Sequence, residues 1–292
     1  MIRTQAAAAR FWATLGAIRA CPRCSHRYPI DPRSLWRSLD PVSHDACPRC
    51  AQRRLGDRCT SLGCRRGWFA FTRTHVALGY KRGAVQRLVL AAKDAVEPGA
   101  VTLLGRLLAG FLAGPPFASS YDLLVPVPFH ERSLRGRRAH PLTAVYLDAA
   151  PVLCHRLPCD DLAPPLLVQV RDMPPRRGLT ERERWSTVRG AFALGFRTRM
   201  LRGARVLLLD DVMTTGATLS ECARVLHEEA GAATVEAVVL VRQPWRFCGT
   251  EIQRCAVRSG PGDLTIPNIC SGSYEGSENL QRGYLSSAVP SI

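Results

Sequence analysis

Residues 206–219 read Val-Leu-Leu-Leu-Asp-Asp-Val-Met-Thr-Thr-Gly-Ala-Thr-Leu. The apolar run Arg205–Leu209 suits a central strand of a parallel sheet, where both faces are buried. Asp210 and Asp211 follow at its carboxyl end, and Gly216–Ala230 continues as a helix. Gly216 lets the backbone approach a ligand and adopt positive φ. Thr214, Thr215 and Thr218 offer hydroxyls, while amides of the turn through Gly216 and Ala217 can cradle a phosphate at the helix start. Adjacent carboxylates repel a phosphate; they suit sugar hydroxyls, a forming cation or a bound Mg²⁺. A strand ending in two acids also occurs in nucleotide triphosphatases, but that machinery needs a Gly-x-x-x-x-Gly-Lys-Ser/Thr loop. The chain has only two lysines, Lys81 and Lys93, and neither lies in one. A plain strand–turn–helix with a threonine cap would explain one threonine and leave the acids and the glycine without a role.

Working outward, the flanking sequence alternates strand-like and helical patterns. Val85, Leu88, Val89 and Ala92, then Leu103, Leu104, Leu107, Leu108 and Phe111, recur at helical spacing and predict two packed helices. Asp122–Pro128 reads as a short buried strand ending at prolines, Leu166–Val170 as another, and Ala191–Leu194 as a third. A helix is expected over 142–155 and a strand over Thr234–Val241. Strands alternating with helices predict an α/β fold with a mostly parallel sheet flanked by helices, in which ligands sit beyond the carboxyl ends of the strands.

Three zones follow: a Cys-rich segment at 1–68, the α/β domain at 69–248, and a Ser/Gly-rich tail at 249–292 that reads as disordered. No apolar run reaches the ~18 residues of a spanning helix, and Arg10 interrupts any signal-peptide centre, so a cytoplasmic protein is expected. The net charge of +16 favours an anionic partner, although the near-absence of lysine is also what drift in a GC-rich genome gives.

Cys21-Pro-Arg-Cys24 and Cys47-Pro-Arg-Cys50 are knuckles separated by 22 residues, the mark of a tetrahedral structural Zn²⁺ site. Cys59 and Cys64 add a third pair. Four of the six suffice for one ion: 21/24/47/50 is the first choice and 47/50/59/64 the second. Paired knuckles with proline inside favour zinc over a thioredoxin-like redox role. Arginines crowd the same segment, so contact with DNA or RNA phosphates is expected to be non-specific and salt-sensitive.

Residues 206–219 resemble the ribose-5-phosphate loop of type I phosphoribosyltransferases. The chain resembles one branch in particular, the ComF family, which joins a zinc-ribbon-like segment to such a domain. Tyr121–Pro128 resembles the strand before that family's pyrophosphate loop, residues 171–192 its flexible loop and following strand, and Glu221–Leu226 with Leu240–Arg242 its closing helix and strand. The resemblance implies binding of phosphoribosyl diphosphate with Mg²⁺ and transfer of the phosphoribosyl group to a nitrogen acceptor. Asp210 and Asp211 would hold the ribose hydroxyls and stabilise an oxocarbenium-like cation, and 214–218 would hold the 5-phosphate. The pyrophosphate would lie near Arg132, Arg135, Arg137 and Arg138, which can pair with it bidentately. The alternative it implies is a ComF-like accessory role in competence, in DNA uptake or nucleic-acid handling, with the ligand bound and not turned over. A homodimer is a further candidate. Arg137-Arg-Ala-His140 and Met173-Pro-Pro-Arg176 depart from the family's Arg-Gly-Phe-Asn and Thr-Pro-Gln, which favours binding over turnover.

Overall fold

A computed structural model describes residues 35, 39–42, 45–54, 56–95, 98–113, 117–128, 142–143, 145–147, 165–174, 178–195 and 201–243. The chain divides into two compact units, Met1–Trp245 and Arg246–Ile292, and every described residue belongs to the first. The expected tail at 249–292, and most of the helix expected over 142–155, lie outside the described residues.

In chain order the elements are α1 (Leu62–Arg65), β1 (Thr74–Val76), α2 (Gly83–Leu90), α3 (Pro98–Leu112), α4 (Phe117–Ser120), β2 (Leu123–Pro126), β3 (Leu167–Gln169), α5 (Glu181–Val188), β4 (Phe192–Leu194), β5 (Arg205–Met213), α6 (Ala217–Glu228) and β6 (Thr234–Arg242). A π-helical turn, Ala91–Ala95, links α2 to α3. Four strands form one parallel sheet in the order β1-β6-β5-β2, with Leu208 of β5 opposite Val125 of β2 and Ala237 of β6.

The two central strands are apolar on both sides, and their alternation assigns each side chain to a layer. Leu207, Leu209, Val238 and Leu240 pack against Val85, Leu88 and Val89 of α2 and Leu104 and Leu108 of α3. Val206, Leu208, Val235 and Val239 face the other way, onto Leu219, Cys222, Ala223 and Leu226 of α6. Helices therefore cover both faces of a parallel sheet, as the alternating pattern predicts.

Three local differences from the sequence reading have physical reasons. β5 does not stop at Leu209; it runs through both aspartates to Met213, because β6 is equally long and pairs Asp210 with Val239 and Met213 with Arg242. β1 has three residues, and its one buried side chain is the polar Thr74, too little apolar alternation to stand out as a strand. β3 and β4 leave the main sheet and pair antiparallel with each other.

Candidate functional site

The expected phosphate loop sits where β5 meets α6, at the carboxyl end of the parallel sheet. Successive side chains of β5 point to opposite faces, so its two acids diverge. Asp210 is half-buried, and its Oδ1 accepts the Asp211 amide at 2.8 Å. Asp211 is buried at 9% exposure, and its Oδ1 accepts the Val212 amide at 2.6 Å. Its Oδ2 receives a charged hydrogen bond from Lys93 Nζ at 2.8 Å.

Lys93 lies in the π-helical turn, and Val89, Ala92, Leu104 and Leu240 make an apolar wall beside the pair. Such turns widen a helix by one residue and often mark functional positions. Sequence reasoning used Lys93 only to exclude a triphosphatase loop and missed it as a partner of the acids. A signal existed: with only two lysines in the chain, each marks a place where arginine did not serve.

The turn itself is built on Gly216, which caps α6 with φ 82° and ψ 4°. That left-handed geometry favours glycine, and space reinforces it: a Cβ here would sit 2.5 Å from Phe69 Cε1 and 2.6 Å from Met213 Cε. Gly216 O then accepts Ser220 N at 2.9 Å, continuing the helical ladder. Thr215 and Thr218 are buried and Thr214 is half-buried, so Thr214, Thr215, Gly216, Ala217 and Thr218 form one compact turn at the start of a helix. Helix starts carry amides without intrahelical acceptors and a partial positive charge, which suits a phosphate.

The second half of the segment 171–192 is α5. Thr180 and Glu183 form a capping box, in which the Thr180 hydroxyl accepts Glu183 N and the Glu183 carboxylate accepts Thr180 N. Glu181 reaches across to the Cys-rich segment, where its Oε1 accepts the Leu62 amide at 3.0 Å, and burial holds its carboxyl above the usual range. The Gly190 amide donates to Glu221 Oε1 of α6 at 2.9 Å.

Among the described residues the thiols of Cys47, Cys50, Cys59 and Cys64 converge, with all four Sγ atoms within 4.8 Å of one another. Cys47 Sγ lies 3.7 Å from Cys64 Sγ and Cys50 Sγ 3.3 Å from Cys59 Sγ, so no disulfide joins them. Ligands at ~2.3 Å from a tetrahedral Zn²⁺ stand ~3.8 Å apart, and this cluster needs little adjustment to accept one. The Cys50 contact pulls the Cys47 thiol well below its usual range, and the Cys64 thiol is driven up by its contact with Cys47. These four residues could hold a metal ion, and they are the second of the two combinations expected. Cys21 and Cys24 lie outside the described residues, as do Arg132, Arg135, Arg137 and Arg138.

The model of the phosphoribosyl transferase domain matches residues 173–246. That span takes in α5, β4, β5, the phosphate loop, α6 and β6, and it supports a transferase-type protein. β2 and the cysteine cluster fall outside it. No curated protein sequence matches the chain. No helix among the described residues is long and apolar enough to cross a membrane.

Proposed function

We propose that this protein is a cytoplasmic phosphoribosyltransferase that binds phosphoribosyl diphosphate with Mg²⁺ and transfers the phosphoribosyl group to a nitrogen acceptor. The observation that carries the reading is the end of β5, where paired acids meet a glycine-capped, threonine-lined helix start within the matched domain.

Thr215, Thr218 and the amides of 214–218 hold the 5-phosphate at the positive end of α6. Asp210 holds the ribose hydroxyls, and Asp211, turned to the other face of β5 and fixed by Lys93, adds negative charge to this end of the strand. The C1–oxygen bond breaks with its electron pair leaving on diphosphate, the acceptor's lone pair forms the C1–nitrogen bond, and the acceptor nitrogen loses its proton to solvent. Negative charge fixed at this end of β5 favours the cationic transition state over the neutral substrate. Oxygen donors of the Asp210 type suit Mg²⁺, whose chemistry when bound is to neutralise the departing diphosphate. Arg132, Arg135, Arg137 and Arg138 complete the diphosphate site in this reading. The Cys₄ cluster is a structural Zn²⁺ centre, with residues 1–68 as its segment.

Calorimetric titration with phosphoribosyl diphosphate is expected to show Mg²⁺-dependent binding that is lost in Asp210→Ala and weakened at least tenfold in Asp211→Ala. Absence of binding in the parent protein overturns the reading. Pyrophosphate release with a panel of bases then tests turnover.

A second reading, a ComF-like accessory protein that handles DNA, draws on six arginines around the knuckle: Arg49, Arg53, Arg54, Arg58, Arg65 and Arg66 are all exposed. It expects single-stranded DNA binding whose salt slope falls by about one for each of Arg65→Ala and Arg66→Ala. Equal slopes in parent and variants overturn it.

A further inference from the structure

The cysteine cluster and the phosphate loop are far apart in sequence, yet two buried side chains span both. Arg242, the last residue of β6, is wholly buried. Its Nε donates to the carbonyl of the ligand-position residue Cys50 at 2.7 Å. Its Nη1 donates to Met213 O at 2.6 Å, to Thr214 O, and to Gln243 O at 3.0 Å. One guanidinium thus ties a knuckle carbonyl to the carbonyls of the last β5 residue and the first residue of the turn. A buried charge held by backbone carbonyls is costly to disturb, because a shift of any acceptor leaves the cation less well solvated.

Phe69 is the apolar counterpart. Its ring lies between two glycines: a Cβ on Gly63 would stand 2.8 Å from Phe69 Cε2, and a Cβ on Gly216 2.5 Å from Cε1. Gly63 is in α1, next to Cys64; Gly216 is the pivot of the phosphate turn. Thr74 supplies a third link, donating to Arg49 O inside the knuckle at 2.6 Å while its hydroxyl lies 3.6 Å from Met213 Sδ. Packed interiors transmit such displacements because they have no slack to absorb them.

We propose that the knuckle is a working part of the phosphate site: through Arg242 and Phe69, metal at Cys47, Cys50, Cys59 and Cys64 positions residues 213–216, so that metal and phosphoribosyl ligand each tighten the binding of the other. The ligand's identity rests on the function proposed above. Coupling between sites is reciprocal, so one free energy governs both directions. Arg242 and Phe69 are positioning residues; neither is assigned contact with substrate.

The test uses the full chain and ribose 5-phosphate, which carries the 5-phosphate and needs no Mg²⁺. Zinc affinity is measured by competition with a chelating indicator, with and without saturating ribose 5-phosphate. The expected result is zinc held at least fivefold tighter with the sugar phosphate present, the low end of ordinary coupling. Zinc affinity unchanged by a sugar phosphate that demonstrably binds overturns the linkage and leaves the proposed function standing. Failure of the zinc-loaded chain to bind either ribose 5-phosphate or phosphoribosyl diphosphate sinks the functional reading, and the linkage with it. Arg242→Lys keeps a charge but cannot span the carbonyls, and Phe69→Leu keeps an apolar side chain but opens the space between the glycines. Both are expected to keep one zinc per chain and to lose most of the coupling factor. A factor that survives both substitutions at full size belongs to folding alone and overturns this route. Where a variant does not fold, the measurement on the parent chain decides.

Discussion

The phosphate loop and the cysteine knuckle are both small polar devices on one sheet, but they are put together differently. The loop's parts, Asp210 to Thr218, are contiguous, and one strand–turn–helix sets their geometry. The knuckle takes two sulfurs from the turn at 47–50 and two from 59–64, and it rests on Arg242, 192 residues after Cys50. A contiguous device inherits its shape from secondary structure. An assembled one needs either tertiary packing or a metal to hold it, since four thiols in contact have little reason to stay together otherwise. The two regions are therefore expected to fail in different ways.

The largest effect is expected from removing the metal proposed for the knuckle. Cys50 is wholly buried, and Cys50→Ser leaves three thiols around a weaker ligand. Structural zinc contributes on the order of 10 kcal/mol in small zinc modules, so its loss exceeds what any single side-chain contact contributes here. Cys50→Ser, or prolonged treatment with a zinc chelator, is expected to lower Tm by more than ten degrees and to release about one zinc per chain. A chain that holds no zinc, or unfolds at the same temperature without it, would remove the contrast between the regions.

Gly216→Ala comes next, and it sharpens the comparison because Gly216 belongs to the loop yet touches Phe69. The strained left-handed backbone costs about 1–3 kcal/mol, and the added Cβ must displace Phe69 or Met213. The expected signature combines a moderate fall in Tm with a larger fall in affinity for phosphoribosyl diphosphate, while zinc content stays at one. A variant with parental affinity would show that the loop does not need this conformation.

How much of this was legible in the sequence follows the same division. The strand–turn–helix at 205–228 could be read from the sequence, because Val206–Leu209, the threonines and Gly216 each carry a local propensity. The strand ran further than its apolar residues because extension came from the partner strand, Met213 pairing with Arg242. The knuckle could be read as chemistry but not as a ligand set, since Cys-x-x-Cys spacing says nothing of which pairs meet. Arg242 was not legible as a positioning residue, and Lys93 was marked only by the scarcity of lysine. Lys93 stands 118 residues from Asp211, and a lone arginine ending an apolar strand looks like an ordinary strand end until its carbonyl acceptors are known.

Lys93→Met tests whether the loop is as self-sufficient as its contiguity suggests. The lysine side chain is 41% exposed, so its pair with Asp211 contributes only about 0–1 kcal/mol to folding. Tm is expected to stay within a few degrees. Affinity for phosphoribosyl diphosphate is expected to change several-fold, with Lys93→Arg failing to restore it, because a bidentate fork holds a carboxylate in a different geometry. A full rescue by arginine would reduce Lys93 to a generic positive charge.

The smallest expected effect comes from the far end of the sheet and supplies the control for both regions. His75 Nε2 lies 2.6 Å from Glu236 Oε2 and 3.0 Å from the Tyr121 hydroxyl, which itself donates to Glu236 Oε2 at 2.6 Å. Burial holds the His75 pKa below its usual 6.5, outweighing the neighbouring carboxylate, while Arg73 acts in the same direction as burial. The folded imidazole thus takes up a proton less readily than the unfolded one. The stability this represents is fully present above pH 6.5 and is lost as pH falls through 6.5 towards the depressed folded value. Tm is expected to decline between pH 7.5 and 5.5, and His75→Gln to flatten that decline. His75 is the middle residue of β1, and Glu236 pairs with Leu207 near the amino end of β5, whereas the loop follows the carboxyl end of β5. Affinity for ribose 5-phosphate in the His75→Gln chain is therefore expected to match the parent's at pH 7.5, and a loss there would mean that the loop draws its shape from the whole sheet and not from one strand–turn–helix.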